Sequence, residues 1–355
     1  MRSESLAFLQ RLLNTPSPSS AEAPGQRVWI DYVKEFADEI QTDTYGNALA
    51  ILNPKGSPKV LIGGHADELA FIIQYIDENG FIYFQPVGGH DIALPRGQRV
   101  HIHHAGGKVL GVIGSLAIHM QDRDKKSDAP AWHDLFIDIG AENQKEASKR
   151  VSIGDLVTYT VGCEFLTEEI IVARGCDNRV GTFTAAETLR LCSDQKKLNA
   201  CLIAASTIQE ENGLYGASMV GYSVKPDVAL IVDVAQATDI PITNKKRFGE
   251  TKIGQGPTLS RGSVNHPVVI QRLIGVAKRK KLKFQYNTDP RSTGTDADAI
   301  FRTRGGIATA TLGIPNRYMH TPVEVIHLGD LQVLAEWLSA FAIDLDKEDL
   351  FKVKI

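Results

Sequence analysis

Between Phe71 and about Thr160 the chain loses helical periodicity altogether, and that break restricts the folds open to it more than any other feature. Within it, Phe71-Ile-Ile-Gln-Tyr-Ile and Phe81-Ile-Tyr-Phe flank Glu78-Asn-Gly80, which predicts a hairpin turning at Asn-Gly. Gln98-Arg-Val-His-Ile-His, Lys108-Val-Leu-Gly-Val-Ile-Gly and Gly154-Asp-Leu-Val-Thr-Tyr continue the strand series. On either side, helix and strand alternate. Leu6, Leu9, Leu12 and Leu13 predict an opening helix that stops at Pro16, and a second helix is expected from Gln26 to Ile40. Strands are expected at Ala48 to Leu52 and from Val60 to His65. Beyond Glu169 come a helix from Thr182 to Cys192, strands at Ala200 to Gln209, Asp227 to Val232 and Ile307 to Gly313, and a last helix near Leu331 to Phe341. The expectation is an α/β, mixed-sheet domain interrupted by an all-β insert.

A chain of 355 residues, 43% of them hydrophobic, can bury a large core. Its formal net charge of -3 supplies no basic field for nucleic acid. No run approaches the ~20 apolar residues that span a bilayer, and Glu4 interrupts the N-terminal segment before it reaches signal-peptide length. Cys163, Cys176, Cys192 and Cys201 form no CxxC pair and read as reduced thiols, so a cytoplasmic protein is expected.

Three of the predicted strands are each followed by acidic or imidazole groups: His65 and Asp67 after Val60-Leu-Ile, Glu210-Glu211 after Ala204-Ala-Ser-Thr-Ile, and Asp233 after Ala229-Leu-Ile-Val. Open α/β sheets bind ligands at the carboxyl ends of their strands, so these groups should converge. Asp177 and His320 lie in predicted loops. Each residue alone is an ordinary strand-end cap, but together they form the nitrogen and oxygen donor set that Zn²⁺, Co²⁺ or Mn²⁺ accepts. A single cation would leave several of the anions uncompensated, and two cations would balance them.

At these residues the sequence resembles metallopeptidase family 42, the glutamyl, deblocking and tetrahedral aminopeptidases, sometimes described as endoglucanases or cellulases. The resemblance rests on Gly64-His-Ala-Asp-Glu-Leu-Ala-Phe, Gly175-Cys-Asp-Asn-Arg-Val-Gly, Thr207-Ile-Gln-Glu-Glu-Asn-Gly-Leu-Tyr-Gly-Ala, Val232-Asp-Val and Arg317-Tyr-Met-His-Thr-Pro-Val-Glu, with Leu135-Phe-Ile-Asp-Ile-Gly-Ala and Gly294-Thr-Asp-Ala-Asp in support. It implies a zinc-peptidase-like (phosphorylase/hydrolase-like) catalytic domain in two parts, 1–69 and 164–355, with a β-rich dimerisation domain inserted at 70–163. It implies two divalent metal ions per subunit, Zn²⁺ first and Co²⁺ or Mn²⁺ as alternatives. Asp177 would bridge them, with His65 and Asp233 on one and Glu211 and His320 on the other. Glu210 becomes the general base, and Asp67 the carboxylate that fixes the His65 ring. The implied activity is removal of N-terminal residues from short peptides by a homo-oligomer built from dimers, which relatives extend to a tetrahedral dodecamer. A metal-dependent deacylase or amidohydrolase acting on N-blocked amino acids or peptides is the alternative.

Two departures from the family pattern stand out: Asn178 follows Asp177 where many relatives carry Asp, and Cys176 precedes it. A thiol there could be a stray ligand, but a small buried side chain is the simpler reading. His101, His103 and His104 suggest a second metal site, but a solvent-facing strand is the expectation for them. His119 is assigned a structural or interface role, and Lys278-Arg-Lys-Lys281 a solvated helix face.

Overall fold

The computed structural model describes residues 1–120, 130–195 and 198–355, and it divides into two units. The first comprises residues 1–68, 162–319 and 323–355, and the second residues 69–161 with 320–322.

The first unit is built on an eight-stranded mixed sheet. Its strand order is Glu39–Thr42, Ala48–Leu52, Cys201–Thr207, Lys59–His65, Val228–Gln236, Ala308–Asn316, Thr258–Arg261 and Gln285–Thr288. The middle strands read as continuous apolar runs because both of their faces are covered. Val60 and Ile62 join a core with helices Ser3–Asn14, Ala23–Val33, Cys176–Ser193, Pro267–Lys280 and Leu328–Ile343. Leu61, between them, points to the other face and packs with Ala217 and Val220 of helix Tyr215–Val224 and with Ala297 and Ile300. A three-stranded antiparallel sheet of Glu164–Phe165, Ile170–Ala173 and Glu324–His327 completes the unit.

The second helix is shorter than its sequence suggests. It spans Ala23–Val33, and Ile40 lies instead in strand Glu39–Thr42, paired with Ala50. Phe36, Ala37 and Ile40 repeat at helical spacing and pack on the same core, but Asp38 N–H already bonds the Ile51 carbonyl, so cross-strand pairing wins over helix continuation. The strand from Ala229 is longer than expected and runs on to Gln236, which places Asp233 within it rather than after it.

In the second unit, strands Ala70–Ile76, Ile82–Val87, Phe136–Asp138, Gly107–Ile113, Arg99–His104 and Leu156–Tyr159 form, in that order, a closed barrel. Phe71, Phe84, Val100, Ile102, Ile137 and Val157 fill its interior. The hairpin turns at Asn79-Gly80, where Gly80 has φ 88°, a conformation that costs glycine no Cβ clash. His101 and His103 are half-buried rather than solvent-facing, since His103 Nε2 meets Thr158 Oγ1 at 2.8 Å on the neighbouring strand. His104 Nδ1 lies 2.8 Å from Asp155 Oδ2. His119 is exposed.

Candidate active site

Three neighbouring parallel strands bring the predicted groups of the first unit together. Register pairs Thr207 with His65 and Ile231 with Gly63, so His65, the Glu210-Glu211 turn and Asp233 emerge side by side. Asp177 comes from the start of helix Cys176–Ser193, which lies directly against the His65 strand. Glycine makes this approach possible, because a Cβ on Gly64 would fall 2.6 Å from the backbone of Gly181. Asp177 and Asn178 themselves are non-helical, and the peptide between them is cis. Asn178 Nδ2 donates to the Val232 carbonyl at 2.7 Å, and its Oδ1 accepts the Gly181 N–H at 3.0 Å. The amide thus braces the Asp177 loop against the strand carrying Asp233, a two-way bond that a carboxylate could not make.

The donor atoms of His65, Asp177 and Asp233 lie within 4.8 Å of one another, as do those of His65, Glu210 and Glu211. His65 Nε2 is 3.1 Å from Asp177, 3.8 Å from Glu210 and 3.9 Å from Asp233. On the other side of the ring, Nδ1 faces the Asp67 carboxylate at 3.4 Å and the Asp67 carbonyl at 3.2 Å. Asp67 does more than face the ring: Oδ1 accepts the Glu210 N–H at 3.0 Å, and Oδ2 accepts the Glu211 N–H at 3.2 Å and the Ser19 hydroxyl at 2.6 Å.

The site is strongly anionic and largely buried. Burial, with Asp233, Asp296 and Glu211 nearby, pushes the Glu210 carboxyl up to about 10 despite His65. Burial and the facing Asp177 likewise hold Asp233 well above the carboxylate range. Burial would lower the His65 imidazole, but Glu210, Asp177 and Asp67 outweigh it and raise its pKa. Burial opposes ionisation of Asp67 too, yet His65, Ser19 and the Glu210 N–H together depress its pKa. Such a cluster is costly without cations, and a single imidazolium would offset only one of the four carboxylates around it.

A model of the family described as M42 glutamyl aminopeptidase matches residues 46–336. The chain belongs to that family. The lysyl aminopeptidase of Pyrococcus furiosus is 30% identical to this M42 chain over 91% of it and 92% of the relative. Among solved structures, the TET aminopeptidase from a marine sediment Thaumarchaeota archaeon superposes with a TM-score of 0.92 at 29% identity, covering 97% of this chain and 98% of that one. The TET1 peptidase of Pyrococcus horikoshii, described as assembling into a tetrahedron or a large octahedral shell, is 28% identical with a TM-score of 0.86 over 96% of this chain and all of that one. The M42 chain is therefore a peptidase of mixed α/β fold with aminopeptidase relatives, from a family that uses divalent metal ions.

The donor set fits such ions, since imidazole and carboxylate oxygen are the ligands that borderline and hard divalent cations select. Cys176 is fully buried behind the loop, where burial pushes its thiol well above the ordinary range, so it stays a neutral packing group. His320 belongs by its contacts to the second unit, where it has φ 63° and its Nδ1 sits 2.8 Å from the Gly89 carbonyl oxygen.

Three participants escaped the sequence reading. Asp296, within Gly294-Thr-Asp-Ala-Asp, is buried and bonded to Thr207, and burial lifts its carboxyl to about 6. Glu68 is buried in ion pairs with Arg174 and Arg179, which tie the segment after His65 to the chain on either side of Asp177. Ser19 bonds Asp67 from 48 residues away, and no local motif announces it.

Proposed function

We propose that this M42 protein is an aminopeptidase that releases single residues from the free amino ends of short peptides, working with two divalent cations. His65 and Asp233 would hold one ion, Glu211 and His320 the other, and Asp177 would bridge them. When bound, the ions would acidify a water and stabilise negative charge developing on the scissile carbonyl. Glu210 would accept the water's proton and later deliver it to the departing amine; the charge of the bound ions would offset the burial and neighbouring carboxylates that otherwise raise its carboxyl, and so leave it ionised for that step. Asp67 orients the His65 ring and, through two N–H bonds, the backbone of the Glu210-Glu211 turn.

The observation that carries the reading is the gathering of donor atoms from His65, Asp177, Glu210, Glu211 and Asp233 around one imidazole. Exo-cleavage follows from the leftover charge, since the free α-amine of a peptide is the cation such a site can still accommodate beside its ions. A free tripeptide and its N-acetyl form separate this from the deacylase reading: the aminopeptidase cleaves only the free peptide, and preference for the blocked one would reject it. We further place the protein in the cytoplasm, consistent with four free cysteines and with no described helix long and apolar enough to cross a membrane. We also assign it a homo-oligomeric state, built from dimers through the barrel unit and extending to a tetrahedral dodecamer. That assignment is supported by the shells formed by the P. horikoshii peptidase and by exposed Leu110, Val112, Leu116 and Met120 on the barrel unit.

A further inference from the structure

Four consecutive backbone N–H groups lead into the turn that carries Glu210, and each is held by a side chain rather than by a strand partner. Ile208 N–H donates to Asn47 Oδ1 at 3.0 Å, Gln209 N–H to Glu22 Oε1 at 3.2 Å, Glu210 N–H to Asp67 Oδ1 at 3.0 Å and Glu211 N–H to Asp67 Oδ2 at 3.2 Å. The strand Cys201–Thr207 has just ended, so its ladder no longer fixes the chain. Gln209 also stands at φ 52°, a left-handed conformation that a residue with a Cβ holds only when its surroundings impose it.

Glu22 is what meets Gln209 there. It is 96% buried, at the start of helix Ala23–Val33, and its Oε1 also accepts the Ser20 N–H at 2.7 Å. That second bond ties it to the Ser19–Ser20 segment, and Ser19 in turn bonds Asp67. Gln26, one turn further along the same helix, donates to the Ser206 carbonyl at 2.8 Å and to the Gly46 carbonyl at 2.9 Å. The helix thus grips the end of the strand and the beginning of the turn at separate points. A carboxylate placed at a helix start as an ordinary cap would bond its own first-turn N–H groups, but Glu22 makes no such cap bond and spends its oxygen on a segment 187 residues away.

We propose that Glu22 is a positioning residue for the peptidase reaction: by accepting the Gln209 N–H it holds the turn in the one backbone conformation that aims the Glu210 carboxyl. The inference rests on the reading of Glu210 as the base. Glu22 is not among the residues whose donor atoms gather around His65, so its loss should lower turnover without removing the ions and with little change in KM.

The test compares Glu22→Gln, Glu22→Asp and Glu22→Ala by steady-state kinetics on an aminoacyl chromogenic substrate, with metal content and melting temperature measured on the same preparations. The Gln variant keeps an acceptor oxygen at the same reach and should retain kcat within about twofold of the wild type. The Ala variant should lose kcat by about 10- to 100-fold at unchanged metal content and KM, the scale of a misplaced catalytic group. Should Ala not fold, Gln against Asp decides: Asp keeps the carboxyl group but falls one methylene short, so its kcat must lie well below that of Gln. Wild-type kcat in Ala, or a Gln variant no better than Asp, would overturn the proposal. Glu210→Gln serves as the separate control, because turnover surviving in that variant defeats the base assignment itself, whereas its loss beside a fully active Glu22→Ala defeats only the role of Glu22.

Discussion

At the scale of single residues, the proposed site separates groups that would hold ions from one that would move a proton. Replacing Glu210 by Gln keeps shape but removes proton acceptance, so kcat should fall by about 10²- to 10⁴-fold with both ions retained in metal analysis. Asp177→Asn should instead lose metal together with activity, because on the proposed assignment its carboxylate would serve both ions. The raised carboxyls make a second prediction. Glu210 at about 10, Glu22 at about 7 and Asp296 at about 6 all carry protons in the folded, metal-free chain that they surrender on unfolding above about pH 4.5. The folded state then binds more protons than the unfolded state, and stability falls as pH rises through this window; the raised pKa of His65 acts in the same direction. The depressed pKa values of Asp67 and Glu68 act only below it. Melting temperature of chelated protein should therefore decline between about pH 5 and pH 8, and reloading with Zn²⁺ should flatten the slope. Chelated protein that gains stability over that range would contradict this charge assignment.

At the scale of elements, the apolar strands and the groups at their ends were legible because burial on both faces leaves little sequence ambiguity in Val60-Leu-Ile or Ala229-Leu-Ile-Val. Where each element stops was less legible. Asp233 breaks an apolar run and so looks like a strand end, although its backbone stays in the ladder opposite Gly313. Ile40 fits a helix as well as a strand, and only its pairing with Ala50 decides. Supporting groups were hidden for a different reason: Ser19, Glu22 and Asn47 act on residues 48, 187 and 161 positions away, and no local spacing encodes such contacts. The helix Leu328–Ile343 offers a test of how elements hold together. Trp337 is fully buried, its Nε1 donates to the Leu273 carbonyl at 2.9 Å, and its ring lies 4.9 Å from that of Phe284. Trp337→Ala should cost about 3–5 kcal/mol, read as a lowered denaturant midpoint. A loss below about 1 kcal/mol would show that this helix is not part of the cooperative core.

For the whole molecule, the assembly assignment makes the most direct prediction. Light scattering at working concentration should report a species larger than the 38.8 kDa chain, and substituting Leu110 and Val112 with charged residues should shift it toward smaller species. A uniform monomer would remove the assembly and leave the chemistry of the site unchanged. Such a shell would confine the active sites and admit only short or unfolded chains, so internal cleavage of folded proteins should be absent in time-resolved mass spectrometry.

The interleaved order of the sheet also has consequences for how the enzyme is made. Lys59–His65 is translated early, yet both strands that flank it, Cys201–Thr207 and Val228–Gln236, leave the ribosome much later. At roughly 5–20 residues per second, the wait for the first of them is on the order of 10 s. The barrel strands, all contained between Ala70 and Tyr159, are complete well before then. A nascent chain therefore holds every barrel strand while the strand bearing His65 still lacks both of its neighbours. On the proposed assignment the ligand set is complete only once His320 has been synthesised, so both ions would be bound late, when nearly the whole chain has been made.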